Sequence, residues 1–195
     1  MKKILFGIII LIVAMSFTTE NGKLSGVVTY RDAYRLSNQA DAGCEIYAIS
    51  EADLKSTQYN NITGVIENFQ LNKSEYSLSI NNTIDPVRIK QVQDIFDTLS
   101  NFACKYISGF KQLPTIARVA TNVTGKYTLS LRPGKYYILL VSGSVKSNNI
   151  AEFKGNIDCK IVDIKSAGET FLDVNFQKQE MIWIKLMTRR QLNGC

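Results

Sequence analysis

The sequence predicts an antiparallel β-sandwich of about seven strands, interrupted by a helical insertion that packs on one sheet. Three observations carry this. Lys126–Leu131 alternates apolar and polar residues, and a Pro-Gly turn then leads into the apolar run Tyr136–Val141. Two further strand-like segments, 24–30 and 41–49, open the mature chain. About 65 residues then pass before the next strand near Thr115, too many for a plain sandwich loop, and part of that stretch has a helical period.

In the first strand Tyr127, Leu129 and Leu131 share one face, with Thr128 and Ser130 on the other. Pro133 and Gly134 supply the fixed and the positive φ of a tight turn, so the two strands read as a hairpin. The second strand does not alternate. Tyr136, Ile138 and Leu140 make one apolar face, and Tyr137, Leu139 and Val141 make another. A strand apolar on both faces is covered on both. One face meets the opposite sheet, and the other needs a lid.

The insertion, 50–113, supplies the lid. Ser50 caps a short helix, with Asp53 at the capping-box position. The Asn- and Ser-rich stretch 68–82 reads as irregular, with a short strand at 76–80. Asp85 and Pro86 then start a long helix, about 86–108. Its apolar stripe is Val92, Ile95, Phe96, Leu99, Phe102, Ala103, Tyr106 and Ile107, and Gly109 is the expected closing residue. This helix is expected to lie over Tyr137, Leu139 and Val141. Beyond the hairpin, 157–164 and 169–176 read as strands. Met181–Met187 reads as a strand, with a terminal helix as the alternative.

The pattern Asn122-x-x-Gly125-Lys126-Tyr127, a short strand, then Pro133-Gly134-Lys135-Tyr136 resembles the carboxypeptidase-regulatory-like (transthyretin-like, prealbumin-like) β-sandwich family, of Ig-like architecture. The resemblance covers two blocks, 23–49 and 115–177. It implies a module that is usually non-catalytic, attached to peptidases, transporters or cell-envelope proteins, and in some members carbohydrate-binding. The shared motif is turn and core chemistry, so it transfers no functional residue.

Met1-Lys2-Lys3, the apolar run Ile4–Met15 and the small residues that follow read as a secretory signal peptide, 1–16, with a cut after 18 as the alternative. The run is shorter than the ~20 residues of a spanning helix, so no transmembrane span is expected after cleavage. Residues 20–195 then form a single domain, exported to the periplasm, cell surface or exterior of a bacterium. Removing Lys2 and Lys3 takes Lys+Arg from 23 to 21 against 17 Asp+Glu, a net +4. The basic residues are scattered, which argues against nucleic acid as a partner.

The chain has no histidine. This excludes Ser-His-Asp and Cys-His catalysis and histidine zinc sites. No phosphate loop or EF-hand pattern occurs. Asp158, Asp163 and Asp173 are the carboxylates that a glycosidase reading would use, but they alternate with apolar residues and suit surface positions. No catalytic residue, metal site or cofactor is therefore expected.

Of the four cysteines, Cys44 shares a strand face with Ile46 and Ala48, and Cys159 with Ile157 and Ile161. Both are expected to point into the core, either as an inter-sheet disulfide or as two buried thiols. Cys104 lies beside the helical stripe, and Cys195 is terminal. The sequons at Asn61, Asn72, Asn81 and Asn122 read as turn chemistry. The functional expectation is a non-enzymatic envelope module with a surface-protein partner. Carbohydrate or polymer binding, with Trp183 as an aromatic contact, is the first alternative, and a carboxylate hydrolase is the second.

Overall fold

In a computed structural model of the chain, residues 20–31, 37–81, 85–143 and 157–177 are described. They form nine strands: β1 (Gly22–Arg31), β2 (Asn38–Ala40), β3 (Glu45–Ser50), β4 (Ala117–Ala120), β5 (Lys126–Leu131), β6 (Gly134–Val141), β7 (Ile157–Ile164), β8 (Glu169–Phe171) and β9 (Val174–Gln177). Three helices, α1 (Glu51–Lys55), α2 (Ile62–Asn81) and α3 (Pro86–Lys111), stand between β3 and β4. Trp183, Cys195, the leader and the 180–188 segment lie outside the described residues.

The strands form a two-sheet sandwich. One sheet runs β4-β3-β6-β7, all antiparallel. The other is built around β1, which pairs antiparallel with β5 and β2 along one edge and parallel with β8 and β9 along the other. The expected hairpin is therefore an inter-sheet corner: β5 joins β1, while β6 joins β3 and β7. The sequence signal of two strands about a Pro-Gly turn is the same in both cases. Gly134, at φ +143°, makes a turn that residues with a Cβ rarely adopt.

The strand expected over 169–176 is split at Leu172-Asp173. The Leu172 amide donates to the Ser25 carbonyl, and the Asp173 carboxylate accepts from the Val27 amide at 2.8 Å. Here β1 comes so close to the crossing chain that a Cβ on Gly26 would collide with the Leu172 carbonyl.

Between the sheets lies a core that includes Leu24, Val28, Cys44, Ile46, Leu129, Ile138, Leu140 and Phe176. The outer face of the second sheet carries a separate core of Tyr47, Ile49, Leu139, Val141 and Ile157, covered by Leu54, Ile62, Ile66, Ile107 and Phe110. Strand β6 thus contributes to both cores. The lid is where the sequence requires it, but α2 and the last turns of α3 form it rather than the length of α3. Ile62, Val65, Ile66 and Phe69 recur at helical spacing and pack on the sheet and on α3, and the helix they start runs on through the Asn/Ser-rich stretch to Asn81. Tertiary burial overrides its modest propensity. Asn72 and Asn81 accordingly lie in a helix rather than in turns. Asn122 does organise a turn, accepting from the Thr124 and Lys126 amides.

A polar cluster closes one end of the sandwich. Asp41 is fully buried and accepts a hydrogen bond from the Ser142 hydroxyl. The Thr121 hydroxyl donates to the Asp41 carbonyl and accepts from the Cys44 amide at 2.9 Å.

Two stability outcomes are expected in urea unfolding. Leu139→Ala removes a side chain with no exposed surface from the outer core and should cost about 2–5 kcal/mol. Thr121→Val keeps the shape but leaves the Asp41 carbonyl and the Cys44 amide only their long 3.5 Å bond to each other, and should cost about 1–3 kcal/mol.

Candidate functional site: a groove on the helical insertion

The insertion is positioned from its caps inward. The Asp53 amide donates to the Ser50 hydroxyl at 3.1 Å, starting α1. The Val87 amide donates to the Asp85 carboxylate at 3.0 Å, and Pro86 follows the cap, starting α3. Gly109 lies inside α3, which ends at a Gln112 cap. Its role is close packing: a Cβ there would collide with the Tyr59 hydroxyl. Tyr59 meets Tyr106 edge-on, with centroids 5.0 Å apart and planes at 81°. The Tyr106 hydroxyl donates to the Gln58 carbonyl at 3.0 Å and accepts from the Asn61 amide at 3.3 Å. This aromatic joint locks the loop before α2 against α3.

At the C-terminal end of α3, Lys111 pairs with Glu45 at 2.7 Å and sits 5.0 Å over the Tyr47 ring. Tyr47 donates to the same Glu45 oxygen at 2.7 Å. Burial acts to raise the Glu45 carboxyl, but the hydrogen bonds from Lys111 and Tyr47 outweigh it and hold the group below its ordinary 4.5. Burial likewise acts to lower Lys111, and its hydrogen bonds and charge interactions with Glu45 and Tyr47 together outweigh that and raise it above 10.5.

Away from this anchor, α2 and α3 touch each other through Phe69, Phe96 and Ala103, with Val65 and Val92 beside them. A groove of about 200 Å³ opens between the two helices. Gly64 stands against the Asn61 side chain at one wall, Asn61 and Asn68 provide polar edges, and Leu99 and Phe102 line the α3 side. Along that side of α3, Ile95 and Phe102 are 63% and 60% exposed. Tyr106 continues the line, 6.0 Å from Phe102 between centroids. The arrangement can bind an apolar or aromatic group. Its described lining consists of two asparagines, a glycine and apolar side chains.

The residues singled out from sequence do not converge on this groove. Cys44 lies in the core between the sheets, and Cys159 faces the helical layer on the other side of the same sheet. Both are free thiols, so no bridge joins the two sheets through them. Burial pushes Cys44 up to about 12, with Asp41 adding to it, and Cys159 up to about 11. Asp158 and Asp163 project from opposite faces of β7, five residues apart on a strand of period two. Asp158 pairs with Lys160 at 2.8 Å, and Asp173 is taken by the Val27 amide. Among the described residues no cluster of His, Cys, Asp or Glu could hold a metal ion, and no helix is long and apolar enough to cross a membrane. The groove was hidden in the sequence because α2 was. Its one visible signal was an α3 stripe wider than a single contact face can bury.

A pH response follows from these groups. Glu45, depressed when folded, contributes stability above its unfolded value and loses it as pH falls through the folded value. Lys111, raised when folded, contributes below its unfolded value and loses it on the alkaline side. With no histidine and both free thiols raised, the melting temperature should be flat from about pH 6 to 8.5 and fall below about pH 4.5. Differential scanning calorimetry checks this, and a midpoint that moves between pH 6 and 7.5 would contradict it. Gly109→Ala should destabilise by about 1–3 kcal/mol through the displaced Tyr59 ring, read in urea.

No family model and no curated protein matches the sequence. Among solved structures, the chain is similar to the minor pilin GBS52 of Streptococcus agalactiae (11% identity, TM-score 0.38), over 83% of this chain and 46% of that one. It is similar to a candidate carbohydrate binding protein of Pseudomonas aeruginosa (11%, TM-score 0.39), over 80% and 89%. It is also similar to the major pilin RrgB of Streptococcus pneumoniae (9%, TM-score 0.31), over 80% and 30%. The chain thus spans under half the length of either pilin.

Proposed function

We propose that this chain is an exported, non-catalytic β-sandwich module, related to the carboxypeptidase-regulatory-like group, that docks on a protein partner of the cell envelope through its helical insertion. The carrying observation is the α3 face of Ile95, Leu99, Phe102 and Tyr106 beside the inter-helix groove. Two large apolar side chains lie more than half open to solvent on a helix whose other face is packed. A contiguous exposed apolar strip beside a groove is the usual mark of an interaction site. It fits a partner that presents an aliphatic or aromatic anchor with polar groups around it, which Asn61 and Asn68 can meet.

Carbohydrate binding is the second reading, favoured by Phe102, Tyr106 and Tyr59 lying beside two asparagines. Sugar rings stack best on flat, accessible aromatic faces. Tyr59 and Tyr106 are nearly perpendicular, Phe102 and Tyr106 are tilted by 38°, and the near-parallel pair Phe69–Phe96 is buried. This geometry favours a protein partner.

In-cell crosslinking and affinity capture of the mature protein test the proposal. One envelope protein in near-stoichiometric yield is expected, with at least tenfold less recovered by Phe102→Glu (about 1.4 kcal/mol or more of lost binding) while circular dichroism stays unchanged. Undiminished capture by the Glu variant would remove the groove from the account, and recovery of glycan without protein would favour the second reading.

A further inference from the structure

We infer that α3 pairs with α3 of a second copy of this chain, antiparallel and about a two-fold axis, with the strip Ile95, Leu99, Phe102 and Tyr106 as the seam. The inference rests on the docking reading above and names its partner. Ile95 and Phe102 are largely open to solvent, and Leu99 and Tyr106 are half-buried beside them. At about 100° per residue the four side chains fall within about 60° of one another around the helix, so they form one line along it. Their spacing of four, three and four residues is that of a coiled-coil seam, the row that one helix shows to another. The spacing also reads the same from either end.

That symmetry selects a second copy. Turned end for end about the midpoint between Leu99 and Phe102, the seam falls on itself. Ile95 then meets Tyr106 of the second copy, and Leu99 meets Phe102 of the second copy. Each level sets a ring against an aliphatic side chain, and each contact is made twice, as an isologous interface requires. The midpoint also lies over the groove, whose α3 wall includes Leu99, Phe102 and Ala103. The incoming Leu99 and Phe102 are thus brought over that recess, whose α2 wall includes Gly64 and Val65.

Charge fits the same pairing. Asp94 and Lys105 are exposed and stand on one flank of the strip, on the side away from the Phe96 and Ala103 contact with α2. A two-fold axis perpendicular to the helices brings this flank against the same flank of the second copy. There Asp94 of each copy faces Lys105 of the other, offset by about 3 Å along the helix, which a lysine stem spans. Two crosswise pairs result. A parallel pairing turns the flank toward the second copy's α2 and makes neither. Exposed pairs add little affinity and mainly fix register. Four seam residues a side make a small contact, so the dimer is weak and depends on concentration.

Sedimentation equilibrium of the mature protein from about 5 to 500 µM tests this. A monomer–dimer equilibrium is expected, with Phe102→Glu weakening association by about tenfold or more. Asp94→Lys alone and Lys105→Asp alone each set like charges together twice and should weaken it about fivefold. Mixed, these two variants restore both crosswise pairs, so mixed dimers should exceed the half expected of random pairing, read by energy transfer between dye-labelled copies. This arm changes only exposed side chains and serves should the Glu variant fail to fold. A monomer throughout, a dimer unchanged by Phe102→Glu, or charge variants that pair at random overturns the inference. A monomer that still captures a different envelope protein through Phe102 overturns the self-pairing and leaves the docking reading standing. Undiminished capture by the Glu variant is what fails that reading.

Discussion

The double burial of β6 is the constraint on which the rest of the structure depends. Its register places Tyr136, Ile138 and Leu140 toward the opposite sheet and Tyr137, Leu139 and Val141 away from it. A two-sheet sandwich satisfies only the first set. The second set would leave an apolar surface facing water, a cost that grows at about 25 cal/mol per Å². The helical insertion answers this need. It leaves the sheet at Ser50 and returns at Ala117, on neighbouring strands β3 and β4, and within that span folds Ile62, Ile66, Ile107 and Phe110 over Leu139 and Val141. What looks like an appendage in the chain is a third layer of the fold.

The opposite sheet depends on a different constraint. Each of its strands pairs through β1, which changes partners on both edges near its middle. On one edge β8 gives way to β9 across Asp173, and on the other β5 gives way to β2 near Gly125. Glycine stands where the backbones close in, because a Cβ on Gly26 or Gly125 would meet a carbonyl oxygen. The buried Asp41 then ties this region to the end of β6 through Ser142. The polar network that closes the sandwich therefore joins the two sheets at one end, while the aromatic joint of Tyr59 and Tyr106 secures the helical layer. Neither network covers the outer side of α3, where Ile95 and Phe102 are exposed.

Much of this was legible in residue pattern. The alternation of Lys126–Leu131, the two-sided apolarity of β6 and the Asp85-Pro86 start of α3 are local signals, and they hold because local chemistry and tertiary packing agree there. The misreadings have specific causes. A Pro-Gly turn looks the same whether its strands pair or part, so the inter-sheet corner at Gly134 read as a hairpin. The stretch after Asn68 has the composition of a loop, and it continues a helix whose packed residues, Ile62, Val65, Ile66 and Phe69, come before it or at its start. Cys159 was placed on the correct strand with Ile157, but which face of β7 meets which core is set by register against β6, a non-local fact. The groove depended on α2 and could not be seen before it.

The most direct test of this account replaces residues 52–115 with a short glycine-serine turn joining β3 to β4. If the helical layer is integral to the fold, the shortened chain should lose cooperative unfolding in urea and bind a dye specific for exposed apolar surface. A soluble, cooperatively unfolding sandwich that retains the stability of the full chain would contradict it and would make the insertion a separable appendage.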